Sequence, residues 1–233
     1  MAGTHTVPDR RNSAANQGSN QEMKAGLDFV HEFVPGTSKR TLLLLHGTGG
    51  NERDLIPLGH ELDPNSALLS PRGKILENGM PRFFRRLAEG VFDLEDLRKR
   101  TNELADFVAS AVQRYKLAAE QIVAVGYSNG ANIAASMLLL RSEILRAAIL
   151  FRAMVPFVPE KLPDLSSVRV WIGAGNQDPI IPTSDTQRLV ELLRRTGADV
   201  TIRFFNAGHG LTNREIETAA HWLEDLKSSG LRT

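Results

Sequence analysis

The chain has 233 residues, a formal net charge of +1 and no cysteine. This length fits one large α/β domain, and the charge balance gives no sign of binding to nucleic acid or to an anionic membrane surface. The lack of cysteine excludes disulfides, thiolate metal sites and a cysteine nucleophile.

The N-terminal part of the chain is polar and has no apolar segment of the kind that a secretory signal requires. We expect residues 1–22 to be a disordered tail, because they can bury little apolar surface. A single domain is expected over residues 23–229. The longest apolar runs are too short to span a bilayer, so we predict a cytoplasmic protein without a membrane span.

Apolar runs and amphipathic stretches alternate along the rest of the chain. In chain order, the first predicted elements are strand Leu27–Val34, strand Thr41–Leu45, helix Asn51–Leu62, strand Ala67–Ser70, helix Leu94–Tyr115 and strand Gln121–Gly126. The remaining ones are helix Asn129–Leu140, strands Ala147–Phe151 and Val168–Gly173, helix Ser184–Arg195, strand Val200–Phe205 and helix Thr212–Lys227. This alternation predicts an α/β fold with a mostly parallel central sheet, helices on both faces and no separate lid domain.

The sequence Gly126-Tyr127-Ser128-Asn129-Gly130 matches G-x-S-x-G. It lies between a predicted buried strand and a predicted helix, which is the setting of a nucleophile elbow. In such a turn the serine backbone is strained, and side chains two positions before and after it would collide with the neighbouring strand and helix. We therefore predict Ser128 as a catalytic nucleophile. The alternative is an ordinary tight turn with an incidental serine.

A serine nucleophile needs a histidine base and an orienting carboxylate, which in an α/β-hydrolase follow it in the order acid, then histidine. Only His209 and His221 follow Ser128. His209 lies in a loop after a predicted strand, whereas His221 lies inside the last predicted helix, so we predict His209 as the base. Asp178 follows a strand end, whereas Asp199 precedes a strand and belongs at the opposite edge, so Asp178 is the predicted acid.

The glycine-rich turn His46-Gly47-Thr48-Gly49-Gly50 follows the predicted strand TLLLL. In this type of fold one oxyanion donor comes from such a loop and the other from the residue after the nucleophile, so we assign the backbone N–H groups of Thr48 and Asn129. The turn lacks the spacing of a phosphate-binding or dinucleotide-binding loop. No pair of histidines has metal-ligand spacing, and His46 is interpreted as structural. No cofactor and no metal are predicted.

Together these motifs resemble the phospholipase/carboxylesterase family, which includes the acyl-protein thioesterases. The matching segments are His46–Gly50, Gly126–Ala131, Gly175–Asp178 and Gly208–His209. The resemblance is greatest to a bacterial branch with GYSNGA at the elbow and an R-F-F-x-R segment, here Arg82–Arg86. It covers about Leu27–Leu226 and implies an α/β-hydrolase esterase, with a homodimer as one option. Thioesterases carry glutamine at the position of Asn129, so acyl specificity does not follow from the resemblance.

The segment from Arg72 to Asp93 has no clear period and contains the candidate substrate contacts. The candidates for an apolar pocket are Phe83, Phe84, Leu87, Val91 and Phe92. Arg82 is a candidate contact to a carboxylate or phosphate, together with Arg85 and Arg86. The alternative is a short amphipathic helix with a buried aromatic face and solvated arginines. The alternative is favoured for the arginines, and the two interpretations are balanced for the phenylalanines.

We predict a carboxylesterase-type serine hydrolase that cleaves carboxylic esters with small to medium acyl or aromatic groups through an acyl-enzyme intermediate. The same machinery serves a thioesterase, or a hydrolase of lactones or carbon–carbon bonds in aromatic breakdown. A third hypothesis is a non-catalytic protein that binds a small ligand on the same scaffold.

Overall fold

The computed structural model describes residues 27–228, and the predicted disordered tail, residues 1–22, lies outside them. The strands are β1 (His31–Val34), β2 (Thr41–Leu45), β3 (Ala67–Pro71), β4 (Ile75–Glu77), β5 (Met80–Arg82), β6 (Arg86–Ala88), β7 (Val91–Phe92), β8 (Ile122–Tyr127), β9 (Ala147–Phe151), β10 (Arg169–Gly175) and β11 (Asp199–Phe205). The α-helices are α1 (Ile56–Leu62), α2 (Leu94–Tyr115), α3 (Asn129–Leu140), α4 (Thr183–Arg195) and α5 (Asn213–Ser228).

Seven strands form the central sheet in the order β1-β3-β2-β8-β9-β10-β11. β1 is antiparallel to β3, and every other neighbouring pair is parallel. The predicted mostly parallel sheet is therefore confirmed, with β1 as an antiparallel strand at its outer edge. Because the parallel strands share one direction, their carboxyl ends meet at one edge, where loops from distant parts of the chain converge.

Helices cover both faces of the sheet and explain why the central strands are apolar along their whole length. Leu43 and Leu45 of β2 pack in a core with residues of α2, α3 and α4. Leu42 and Leu44 of the same strand pack in a second core with residues of α1 and α5. Each of these leucines is fully buried, and burying one such side chain contributes about 1.5–3 kcal/mol.

The segment between β3 and α2 forms two small antiparallel hairpins, β4–β5 and β6–β7. The alternative of an amphipathic helix here is therefore wrong, since β5 ends at Arg82 and β6 begins at Arg86. Asn78 and Gly79 form the first turn with positive φ angles of 51° and 80°. An Asn-Gly pair favours this two-residue hairpin loop, because both residues tolerate the left-handed region.

Among the described residues, no helix combines the length and the apolar character needed to cross a bilayer.

Candidate active site

Ser128 lies in a strained turn between β8 and α3. Its φ and ψ angles are 53° and −112°, a conformation that non-glycine residues rarely adopt. A Cβ added at Gly126 would lie 2.6 Å from the backbone of Ala131, and one added at Gly130 would lie 1.9 Å from the carbonyl oxygen of Leu45. The expected need for glycine on both sides of the serine is therefore confirmed.

Three side chains from separate loops meet at the carboxyl edge of the sheet. His209, which follows β11, has its Nε2 atom 3.0 Å from the Oγ atom of Ser128. Its Nδ1 atom is 2.8 Å from Oδ2 of Asp178, which follows β10. Because an ionised carboxylate only accepts hydrogen bonds, Nδ1 donates to Asp178 and Nε2 is left to accept from the serine hydroxyl. This is the tautomer that a histidine base needs.

The two rival residues lie elsewhere. Asp199 is the exposed first residue of β11, at the amino edge of the sheet. The side chain of His221 on α5 is 81% exposed, and its Nδ1 atom lies 3.6 Å from Glu224. The structure thus places Ser128, His209 and Asp178 together and keeps both rivals apart from them.

The Asp178 carboxylate is held by the backbone that follows it. Its side chain is 1% exposed, and its Oδ1 atom accepts hydrogen bonds from the N–H groups of Ile180 at 2.8 Å and Ile181 at 3.1 Å. Each carboxylate oxygen therefore has its own partners, with Oδ2 directed at His209. This arrangement fixes the orientation of the acid.

The two candidate oxyanion donors lie beside the serine. Asn129 is the first residue of α3, where backbone N–H groups have no intrahelical acceptor and the helix dipole favours negative charge. Thr48 follows β2 and lines the same cavity as Ser128 and Asn129. The Oγ1 atom of Thr48 accepts a hydrogen bond of 2.7 Å from Arg82, which lines the same cavity. The position of both residues suits a developing oxyanion.

His46 stabilises this loop and takes no direct part in the site. It is 1% exposed, its Nδ1 atom lies 2.6 Å from the carbonyl oxygen of Gly47, and its Nε2 atom accepts a 3.0 Å hydrogen bond from the Gly73 N–H. Burial lowers the pKa of His46 and favours the neutral ring. These contacts agree with a structural role.

A cavity of about 340 Å³ opens over the serine. Its apolar lining comes from Phe92, Met154, Ile180 and Ile181, of which sequence reasoning selected only Phe92. The candidate contacts Phe83 and Phe84 are 2% and 0% exposed and lie in the core outside this lining. As candidate contacts they are corrected: the Phe83 ring packs against His46 and the Phe84 ring against Phe92, with ring centroids 4.7 Å and 5.0 Å apart. The buried aromatic side chains of the alternative interpretation are observed, although the segment is not helical.

Arg82 lines the cavity together with Arg86. The prediction of solvated arginines is wrong for Arg82, which is 3% exposed, whereas the Arg86 side chain is 30% exposed. Both pair with Glu77, Arg82 Nε at 3.2 Å and Arg86 Nη2 at 2.7 Å. Burial lowers the pKa of Arg82, although its guanidinium stays charged. Arg85 points away, with a side chain that is 60% exposed and pairs with Asp93 at 3.2 Å.

Two residues that sequence reasoning did not select contact the loop that carries His209. They are Tyr127, inside the elbow motif, and Arg152, directly after β9. An arginine that follows a fully apolar strand lies at the same sheet edge as the catalytic candidates, and this position was the available signal. Among the described residues, no group of three or more potential metal ligands occurs.

Comparison with known proteins gives concordant matches. The sequence model described as the dienelactone hydrolase family matches residues 81–226. The putative hydrolase MhqD of Bacillus subtilis (strain 168) is 48% identical over 195 residues, which cover 84% of this chain and 98% of the relative. The crystal structure of the Bacillus cereus carboxylesterase has a TM-score of 0.84 and 47% identity, covering 88% of this chain and 98% of that one. YahD, whose structure was solved with malic acid, has a TM-score of 0.80 and 33% identity over 84% and 98% of the two chains.

Proposed function

The chain belongs to the dienelactone hydrolase family of α/β-hydrolases, and we propose that it hydrolyses small carboxylic esters with Ser128, His209 and Asp178 as its catalytic triad. Its esterase-type relatives identify it as a hydrolase, which argues against the ligand-binding alternative. The observation that carries the proposal is the pair of distances at His209, 3.0 Å to Ser128 and 2.8 Å to Asp178.

The proposed reaction begins when the Ser128 Oγ atom attacks the ester carbonyl and His209 takes the hydroxyl proton at Nε2. Asp178 keeps the imidazole in the correct tautomer and stabilises the imidazolium without taking the proton itself. The negative charge on the tetrahedral intermediate is met by the N–H groups of Thr48 and Asn129. Each such donor contributes a factor of about 10²–10³ to kcat.

In the second half of the reaction, His209 acts first as an acid and then again as a base. The His209 imidazolium gives its proton to the leaving alcohol, and the acyl group stays bonded to Ser128 as an ester. His209 then takes a proton from water while the water oxygen attacks the acyl carbonyl, and it returns this proton to the Ser128 oxygen as the carboxylic acid is released. All these steps use side chains and backbone N–H groups of this chain and one water molecule.

Cavity size limits the substrate. Small-molecule sites typically measure about 300–1,000 Å³, and this cavity of about 340 Å³ lies at the lower end. Its apolar wall, formed by Phe92, Met154 and Ile181, suits a short acyl or aromatic group. Arg82 and Arg86, which also line the cavity, suit a polar group of the substrate, in keeping with the related YahD, whose structure was solved with malic acid.

A series of p-nitrophenyl esters tests this proposal directly. We expect kcat/KM to be highest for acetate or butyrate and to fall for octanoate and palmitate, because the longer chains exceed the cavity. Ser128→Ala should abolish turnover of every ester and leave the thermal unfolding temperature near the wild-type value. A preference for palmitate, or turnover by Ser128→Ala above the uncatalysed rate, would contradict the proposal.

Hydrolysis of a lactone is the second candidate, and the match to the dienelactone hydrolase family favours it. A lactone is a cyclic ester, so the same triad opens the ring and the alcohol remains attached to the acyl group. Measuring acid release from lactones and acyl-CoA thioesters alongside the p-nitrophenyl series separates the three activities. The substrate with the highest kcat/KM identifies the bond type for which the site is built.

A further inference from the structure

His209 lies in a loop between two glycines. The backbone carbonyls of the histidine and of the glycine on each side of it all accept hydrogen bonds from side chains. Arg152 donates from Nε to the Gly208 carbonyl at 2.9 Å and from Nη2 to the Gly210 carbonyl at 2.6 Å. The Tyr127 hydroxyl donates to the His209 carbonyl at 3.0 Å. Two side chains therefore restrain three consecutive peptide units of a segment that would otherwise be flexible.

Arg152 is itself fixed by a buried ion pair. Its Nη1 and Nη2 atoms lie 2.5 Å and 3.0 Å from the two carboxylate oxygens of Glu215, and the side chains are 1% and 0% exposed. Glu215 Oε2 also accepts hydrogen bonds of 2.9 Å from the backbone N–H and the hydroxyl of Thr212, at the start of α5. This bidentate geometry gives the guanidinium one orientation, with its Nε atom 3.7 Å from Asp178.

The backbone of Arg152 is also strained. Its φ angle is 58°, and its N–H donates to the Gly173 carbonyl at 3.0 Å. Ser128, directly after the neighbouring strand β8, also has a positive φ angle, 53°. A non-glycine residue in this region costs about 1–3 kcal/mol and persists where the surrounding structure requires it.

We propose that Arg152 and Tyr127 are positioning residues that hold the His209 imidazole in contact with both Ser128 and Asp178. This role rests on the proposed triad. The imidazole must keep two hydrogen bonds at once, and a displacement of about 1 Å lowers the rate about 10²-fold. Burial raises the pKa of Tyr127, so its hydroxyl remains a donor at neutral pH.

Two variants of the full chain test the proposal. Arg152→Lys keeps the charge but has a single nitrogen, which cannot reach both carbonyls together with Glu215, so kcat should fall about 100-fold. Tyr127→Phe removes one hydroxyl and keeps the ring, so kcat should fall about tenfold. Because neither change alters the substrate cavity wall beyond that hydroxyl, KM should stay within about twofold.

Arg40→Lys is the matched control. Arg40 pairs with Asp63 at 3.1 Å, and the two side chains are 9% and 3% exposed. The pair lies at the amino end of β2, so it resembles the Arg152 pair in burial but lies away from the candidate site. We expect Arg40→Lys to lower the unfolding temperature and to leave kcat unchanged.

The proton between His209 Nδ1 and Asp178 gives an independent readout. Its downfield NMR signal should broaden or shift in both positioning variants and stay in place in Arg40→Lys. The proposal is overturned if both variants keep wild-type kcat and this signal, or if kcat falls only in proportion to the folded fraction. If Arg152→Lys does not fold, Tyr127→Phe decides alone. An inactive wild type would refute the proposed function itself, whereas an active wild type with unaffected variants refutes only the positioning role.

Discussion

Replacing Asp178 by asparagine tests the role of the acid separately from the roles of the other residues in the site. Oδ1 of Asp178 accepts hydrogen bonds from the N–H groups of Ile180 and Ile181. An asparagine must turn its carbonyl oxygen toward these two donors, because its NH₂ group would face them without an acceptor. Its NH₂ group then points at His209, where Oδ2 of the aspartate now accepts a hydrogen bond.

The consequence is a change of tautomer. The NH₂ group donates to Nδ1 of His209, so the ring proton moves to Nε2 and the nitrogen beside Ser128 can no longer accept the serine proton. A triad with the wrong tautomer loses about 10⁴-fold in kcat, or about 5.5 kcal/mol of transition-state stabilisation. Because both backbone contacts persist, the unfolding temperature should change little.

The assay is the steady-state hydrolysis of p-nitrophenyl acetate, with circular dichroism to monitor unfolding. Asp199→Asn is the matched control, since the same substitution is made at the exposed start of β11, and it should keep wild-type kcat. If Asp178→Asn retained more than about one tenth of the wild-type kcat, the tautomer argument would be refuted. If Asp199→Asn were the damaging change, the assignment by sheet edge would be wrong.

Three further predictions concern stability. Gly130→Ala should lower the unfolding free energy by more than about 3 kcal/mol in denaturant titration, because the new Cβ would lie 1.9 Å from the Leu45 carbonyl oxygen. Burial lowers the pKa of His46 below its ordinary value of 6.5. The neutral His46 ring therefore stabilises the fold fully above pH 6.5, and this stabilisation is lost as the pH falls below it. The difference in unfolding free energy between the wild type and His46→Gln should shrink as the pH falls. Thr212→Ala removes the cap that receives the Glu215 N–H, and calorimetry should show a loss of about 1 kcal/mol.

The sequence predicted the main framework closely where several local signals agreed. The bounds of β2, β9, α2 and α3 match the predicted ones. For α2, the Asp93 side chain accepts from the Asp96 N–H at the start and Lys116 adopts a left-handed conformation after the end, so both boundaries have local causes. The start of α5 also has a local cause, a capping box in which the Thr212 N–H donates to the Glu215 side chain and the Glu215 N–H donates to the Thr212 side chain.

The first helix begins later than the hydrophobic period of the sequence predicts, because local hydrogen bonds form a turn before it. The predicted helix started at Asn51, but α1 begins only at Ile56. The Asn51 side chain accepts from the Arg53 N–H at 2.9 Å, and Asp54 accepts from the Asn51 N–H at 3.2 Å. Short polar side chains that bond to nearby backbone groups favour turns over helix, which explains the later start.

The sequence did not predict the long-range contacts. The burial of Phe83 and Phe84 depends on how two hairpins fold against the sheet, and no period in the sequence encodes it. The ion pair of Arg152 with Glu215 joins residues 63 positions apart. The homodimer, the cytoplasmic location and the single domain over residues 23–229 stay predictions.

Reaction with a fluorophosphonate, followed by peptide mass spectrometry, tests the proposed nucleophile most directly. We predict one adduct, on Ser128, with loss of ester hydrolysis in proportion to labelling and no adduct in Ser128→Ala. Ester hydrolysis that persists after Ser128 is fully modified, or inactivation by an adduct on another residue, would contradict the proposed mechanism.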